Sequence, residues 1–365
     1  MTVALRRVPV VLLGPGAVGQ ALLRRIVARR DLVAGRHGLR LAVVAVADAS
    51  GAQLGWGGEI DDARLRDLAD GRAGGRRMAD WPGAAPREAW LAPETAAGGD
   101  AAPIVVDTTA ADTTRMLLAA RERGWRLVLA NKVPLTGELE AFHRLTQSGR
   151  GARWETTVAS TLPVIATLQA LQDAGDAVRR ISGSLSGTLG FVAKRIEEGG
   201  RLSDIVTEAD AMGYLEPDPR TDLSGLDAAR KLLILARMVG LPLTLADVAV
   251  DRLYPAAWDD LDVAAFRERL PALNDALSGR AAAAALTGHV LRYIGVVEGG
   301  TARAGLADVE PDDRLARVEA GDSIVVFETA NFSANPLVIS GRGGGPAVTA
   351  AGVMADVVSL ARADA

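Results

Sequence analysis

Apolar and polar positions fall into two textures along this chain, and the break between them lies near residue 150. In the first texture, short uninterrupted apolar runs alternate with helical patterns. Residues 8–13 form a continuous, β-branched apolar run, the pattern of a strand buried on both faces of a parallel sheet. Gly14-Pro15-Gly16-Ala17-Val18-Gly19 follows, and then Leu22, Leu23, Ile26 and Val27 at helical spacing. Apolar runs at 41–47, 104–106 and 127–130 end at Asp48, at Asp107-Thr108-Thr109 and at Asn131-Lys132, with a helix expected over about 113–123. This alternation predicts an α/β fold with a doubly wound sheet. Residues 68–102, rich in Ala, Gly, Pro and Trp, read as a loop-rich surface excursion.

After residue 150 a strand is expected over 153–158, then long helical patterns and strands near 179–186, 288–298 and 323–330, which is the pattern of a second, α+β domain. A glycine run at 341–345 precedes an apolar helix over about 348–360.

Composition narrows the chemistry. The 365 residues, 49% hydrophobic and 24% charged, suit two globular domains and exclude disorder of the whole chain. Forty-one Lys and Arg against 45 Asp and Glu leave no basic excess, so nucleic acid is not expected as a partner. With no cysteine and three scattered histidines, thiolate chemistry is excluded and a histidine metal site is not expected. Carboxylates, lysines, hydroxyls, backbone or a cofactor must do the work. No apolar run approaches the roughly 18 residues of a membrane span. Arg6-Arg7 with the run after it imitates a leader, but that run is short and enters the glycine motif, so a first strand and a cytoplasmic location are expected.

The glycine motif is GxGxxG placed between an expected strand and an expected helix, the setting of a Rossmann-type dinucleotide site. There backbone can approach a pyrophosphate, which sits on the positive helix N-terminus. Gly14, Gly16, Ala17, Val18 and Gly19 are therefore cofactor candidates. Asp48, at the end of the second strand, could accept hydrogen bonds from the adenosine ribose, or could be a turn or cap residue. Residues 49–56 contain no Lys or Arg to meet a 2′-phosphate, which favours NAD over NADP. Thr108, Thr109 and Lys132 also follow strand ends, where ligands bind in open parallel sheets.

The densest chemistry lies at 213–231. Prolines and glycine keep its first half out of helix, leaving Glu216, Asp218 and Asp222 on a rigid loop. A helix is expected from near Ser224 to about Val239, with Asp227, Lys231, Ile234 and Met238 on one face. Asp227 could be half of a capping box with Ser224, or an ordinary i,i+4 partner of Lys231. A charge pair on a half-apolar face also suits proton transfer, because burial lowers a lysine's pKa.

Together these segments, with Glu155-Thr156-Thr157-Val158, Leu162-Pro163, Leu185-Ser186-Gly187-Thr188-Leu189, Gly343-Gly344-Gly345 and residues 348–353, resemble homoserine dehydrogenase in order and across nearly the whole chain. The resemblance implies a Rossmann-type nucleotide-binding domain at 1–150, completed by 335–365, and an α+β catalytic and dimerisation domain at 151–334. It implies reversible, NAD(P)-dependent interconversion of L-homoserine and L-aspartate 4-semialdehyde, in the aspartate pathway to threonine, methionine and isoleucine, by a homodimer. Lys231 and Lys132 would handle the proton and the reacting oxygen, and Asp227 would orient the substrate and Lys231. Glu216 and Asp222 would hold the substrate's amino-acid end, Tyr214, Gly187 and Thr188 would line the pocket, and Gly345 would join Thr108, Thr109 and Lys132 at the cofactor. A sodium ion would be held by Glu155 and by Val158, Ser160 and Leu162, although Ala159-Ser160-Thr161 replaces the small residues many members carry there. No amino-acid-sensing regulatory domain or fused kinase is expected. The rival readings are a dehydrogenase for another amino alcohol and a nucleotide sensor without turnover, but a sensor would not need this set of lysines and carboxylates.

Overall fold

In the computed structural model, residues 5–55, 58–92, 102–146, 151–319 and 321–363 are described. They form β1 (Arg6–Leu13), α1 (Ala17–Ala28), β2 (Leu39–Ala47), β3 (Ala52–Leu54), α2 (Asp62–Ala73), β4 (Ile104–Asp107), α3 (Thr114–Glu122), β5 (Arg126–Leu129) and β6 (Ala152–Arg153). There follow β7 (Val178–Ser184), α4 (Gly187–Glu197), α5 (Leu226–Met238), β8 (Val248–Val250), β9 (Val290–Glu298), β10 (Thr301–Val309), β11 (Asp322–Thr329), β12 (Leu337–Arg342) and α6 (Pro346–Arg362), with shorter helices between. Among the described residues no helix is long and apolar enough to cross a membrane.

The chain divides into two compact units, one of Met1–Thr161 with Gly345–Ala365 and one of Leu162–Gly344. The first is Rossmann-type. Its sheet runs β3-β2-β1-β4-β5-β6, parallel except where β3 folds back on β2. Val8, Val10 and Val11 in β1 and residues 41–47 in β2 are buried, as a sheet covered on both faces requires. Leu13 is in register with Ala47 on one side and Asp107 on the other, so Gly14, Asp48 and Thr108 emerge at one sheet edge. Helix α6 fills the same core, where Ala350, Val353, Val357 and Leu360 join Val10, Leu12, Leu22 and Leu23.

Two expectations fail in this unit. Residues 153–158 are not a strand: β6 stops at Arg153, and Thr156–Ala159 make a helical turn. Local bonds outweigh the β-branched composition, because Thr157 donates from both its amide (3.1 Å) and its hydroxyl (2.7 Å) to the Trp154 carbonyl. Nor is 68–102 a surface excursion. Helix α2 runs into it, and Met78, Trp81 and Trp90 are fully buried anchors; residues 93–101 lie outside the described set. The connection after α1 is itself a helix, Arg30–His37.

The second unit is α+β. Its sheet runs β12-β11-β7-β9-β10-β8, antiparallel except for the β10–β8 pair. Helices α4 and α5 both pack on β9. Strand alternation turns Ile294 and Val296 of β9 to the opposite face, into a cluster with Val309, Leu315, Ile324 and Val326.

Candidate active site

At the sheet edge of the first unit, backbone geometry builds an anion cradle. Gly14 has φ of +83°, and a Cβ there would lie 2.6 Å from the Thr109 methyl. A Cβ at Gly19 would meet the Gly14 carbonyl at 2.5 Å, so the loop closes on the helix only because both are glycine. Thr108 clamps this turn, its hydroxyl donating to the Gly14 carbonyl at 2.6 Å and its amide to the Leu13 carbonyl at 2.9 Å. Gly16 faces open space, with nothing within 4 Å of where its Cβ would be, and it starts α1 without a side-chain cap. The first-turn amides of Ala17, Val18 and Gly19 are thus left to an incoming anion. These residues fit a dinucleotide.

Around that cradle, Asp107 is a buried organiser. It accepts from the Thr109 amide (2.9 Å), the Thr113 hydroxyl and Asn131 Nδ2 (3.0 Å). Asn131 Oδ1 in turn accepts from the Val133 amide at 3.0 Å, which fixes the turn carrying the half-buried Lys132. Gly345 has φ of +102° and starts α6.

In the second unit, the 213–231 segment folds into a charged cluster. Gly225, at φ of +72°, starts α5, so the Ser224–Asp227 capping box does not form and Asp227 turns instead to Lys231. Lys231 Nζ lies 2.7 Å from Asp227 Oδ2 and donates to the Leu185 carbonyl at 2.6 Å, with its side chain 14% exposed. That carbonyl belongs to the turn before α4, which Ser186 caps by accepting from the Leu189 amide at 3.2 Å. The Thr188 hydroxyl donates to the Tyr214 carbonyl at 2.9 Å, and the Tyr214 ring meets Phe191 edge-on, centroids 5.5 Å apart. Beside Gly187, a Cβ would stand 3.6 Å from Gly321.

The three loop carboxylates part company here. Asp218 is neutralised by Arg220 at 2.7 Å. Asp222 sits not on irregular loop but on a helical turn, Arg220–Leu223, where its Oδ2 accepts from the Glu216 amide at 2.9 Å. Burial pushes the Asp222 carboxyl above its ordinary range, and the charges of Glu216 and Asp227 add to this against the Glu216 amide and the Thr188 hydroxyl. Glu216, Asp222 and Asp227 are therefore a crowded anionic group, of which Asp227 is paired with the Lys231 ammonium. Such a group attracts a further cation, and an amino acid's ammonium has the right charge and donors.

The family model described as homoserine dehydrogenase matches residues 163–358, more than half of the chain. The chain belongs to the homoserine dehydrogenase family. It is 40% identical over 262 residues to a bifunctional aspartokinase/homoserine dehydrogenase of Haemophilus influenzae, covering 70% of this chain and 32% of that protein. It spans about a third of the length of the bifunctional relatives it matches. A Candida auris protein of unknown function superposes with a TM-score of 0.85 at 29% identity, covering 98% of each chain. A hyperthermophilic archaeal homoserine dehydrogenase in complex with NADPH shares the fold, with a TM-score of 0.73 at 22% identity over 97% of this chain and 98% of that one.

The segment in which the homoserine dehydrogenase resemblance implies sodium is a buried turn. Ser160 has φ of +56°, and its hydroxyl is 2.9 Å from that of Thr349. The Glu155 amide donates to Asp356 Oδ2 at 3.2 Å, while the Leu162 carbonyl accepts from the Val164 amide at 2.8 Å. Asp356 is a residue the sequence reading missed, although an Asp inside the apolar 348–360 helix was a visible signal. Burial first, and the Glu155 charge second, push its carboxyl up to about 7. An all-oxygen donor set of this kind suits a hard cation. Among the described residues no group of three or more His, Cys, Asp or Glu side chains is placed to hold a metal.

Arg72 was missed as well. The window 49–56 lacks a cation, but this arginine arrives from the end of α2 with Nη1 3.5 Å from Asp48 Oδ2.

Proposed function

We propose that this protein is a homoserine dehydrogenase interconverting L-homoserine and L-aspartate 4-semialdehyde with NAD(P). The observation that carries this reading is Lys231 Nζ held between Asp227 Oδ2 and the Leu185 carbonyl, in the same segment as the Asp222 and Glu216 carboxylates. Two needs of the substrate match two features of the cluster. Its ammonium takes the negative field of Asp222 and Glu216, which fixes the backbone end. Its reacting oxygen takes the proton on Lys231, donated as the aldehyde oxygen gains charge and taken back when the alcohol is oxidised. Asp227 and the Leu185 carbonyl hold Nζ at one place, so the proton is delivered from a fixed point. The nicotinamide, when bound, supplies or accepts the hydride. Gly14, Gly16 and the first turn of α1 would hold its pyrophosphate, with Thr108, Thr109, Lys132 and Gly345 around it. The test is Lys231→Ala, which should lower kcat by about 10²–10⁴-fold while nucleotide affinity stays within about twofold. Unchanged turnover removes Lys231 from the role.

The family resemblance also supports a homodimer through the second unit's sheet, a cytoplasmic location and a sodium ion on Glu155 and the carbonyls of Val158, Ser160 and Leu162. Light scattering on the purified chain checks the dimer, and a monomer mass contradicts it.

A further inference from the structure

Asp48 stands where a carboxylate would meet the adenosine ribose, yet protein donors already occupy both of its oxygens. Oδ1 accepts from the Ser50 amide (2.7 Å), the Ser50 hydroxyl (2.5 Å) and the Gly51 amide (3.3 Å). Oδ2 accepts from the Met78 amide at 3.0 Å. Burial pushes this carboxyl up, but the Ser50 and Met78 bonds and the Arg72 charge outweigh it, and the group is held below its ordinary range. Asp48 is thus a tie between the 50–51 turn and the 78 segment.

Beside it lies a donor that the ribose of NAD does not need. Arg72, in the last turn of α2, has Nη1 2.7 Å from the Arg76 carbonyl and Nε 3.5 Å from the carbonyl of Pro15, inside the glycine motif. Its guanidinium therefore spans from the pyrophosphate loop to the end of β2, the stretch along which the adenosine ribose of a seated dinucleotide lies. Nη2 makes no hydrogen bond among the described residues, and the side chain is 22% exposed. Arg77 adds a second charge that acts on Asp48, and Arg76 is held 4.2 Å over the Trp81 ring. Arg77 pairs with Asp80 at 3.2 Å and Arg76 acts on the same carboxylate, so three arginines share Asp48 and Asp80 here. A ribose diol asks for a free carboxylate, whereas a phosphate monoester asks for a guanidinium fork.

We propose that Arg72 receives the 2′-phosphate of NADP and so sets the protein's preference for NADP over NAD. This rests on the reading of the first unit as a dinucleotide site. The test titrates the purified full chain with adenosine 2′,5′-bisphosphate and, separately, with 5′-AMP by calorimetry, for the wild type and for Arg72→Leu. The wild type should bind the bisphosphate at least about tenfold more tightly than 5′-AMP, as expected for charge-assisted bonds to a phosphate. Arg72→Leu should lose about tenfold to a hundredfold on the bisphosphate and less than about twofold on 5′-AMP. Equal losses on both ligands, at unchanged melting temperature, would make Arg72 a support of the loop and overturn the proposal. Should Arg72→Leu not fold, the wild-type ratio decides: 5′-AMP bound as tightly as the bisphosphate, or more tightly, also overturns it. A wild type that binds neither ligand overturns the dinucleotide reading itself, a result distinct from losing the preference alone.

Discussion

Asp222 is the group whose titration the reaction should report. Burial and the charges of Glu216 and Asp227 raise its pKa, so it takes up a proton at a higher pH than an ordinary aspartate. In the proposed reaction the ionised form would bind the substrate's ammonium, and protonation would remove that binding as pH falls. KM for homoserine should accordingly climb as pH falls from neutrality toward the range of ordinary carboxylates, with kcat less affected. Asp222→Asn should raise KM throughout and flatten this dependence; a wild-type KM constant over that range would contradict the assignment. Lys231, Asp227, Asp222 and Glu216 were legible in the sequence because their relation is local, fixed by helix spacing and by two prolines. Arg72 and Asp356 were not. Each reaches its partner across more than twenty residues of chain, Arg72 to Asp48 and Asp356 to Glu155, and such meetings are made by tertiary packing rather than by any period in the sequence.

Helix α5 depends for its start on one backbone conformation. Gly225 has φ of +72°, and a Cβ there would lie 2.3 Å from the Tyr293 hydroxyl oxygen and 2.7 Å from a Val250 methyl. Gly225→Ala should destabilise the second unit by more than about 1 kcal/mol and lower kcat, because the turn that presents Asp227 to Lys231 would have to shift. Thermal denaturation with steady-state kinetics checks this, and wild-type values in both would mean that the start of α5 is not what holds the pair. Elements were readable where composition and burial agreed: β1, β2, α1 and α5 are continuous apolar or amphipathic patterns that the fold uses as such. They were misread where the two diverged. Thr156-Thr157-Val158 has strand composition but is wholly buried in a helical turn, and Trp81 and Trp90 lie in a glycine- and alanine-rich stretch yet anchor the core. Strand β10, poor in large apolar residues, was missed too, although Gly299-Gly300 between β9 and β10 is a strong hairpin signal.

At the scale of the molecule, the chain leaves its first unit after Thr161 and returns to it at Gly345. Helix α6 is part of that unit's core, and Arg126 Nη1 donates to its Leu360 carbonyl at 2.9 Å. Removing residues 346–365 should therefore open the core behind β1 and abolish nucleotide binding, which calorimetry with adenosine 2′,5′-bisphosphate checks; retained wild-type affinity would show that α6 is dispensable. The two-domain pattern was readable from the change of texture near 150, but the return of the last segment came from family resemblance, since no local pattern says which core an apolar helix will join. The measurement that bears most directly on the whole account follows reduced nicotinamide by absorbance when the protein meets L-homoserine with NADP or NAD, and 4-hydroxybutyrate in parallel. Reduction should require homoserine, run faster with NADP, and fail with 4-hydroxybutyrate, which lacks the ammonium proposed to be held by Asp222 and Glu216. No reduction with either cofactor, from protein that binds the nucleotide, would contradict it.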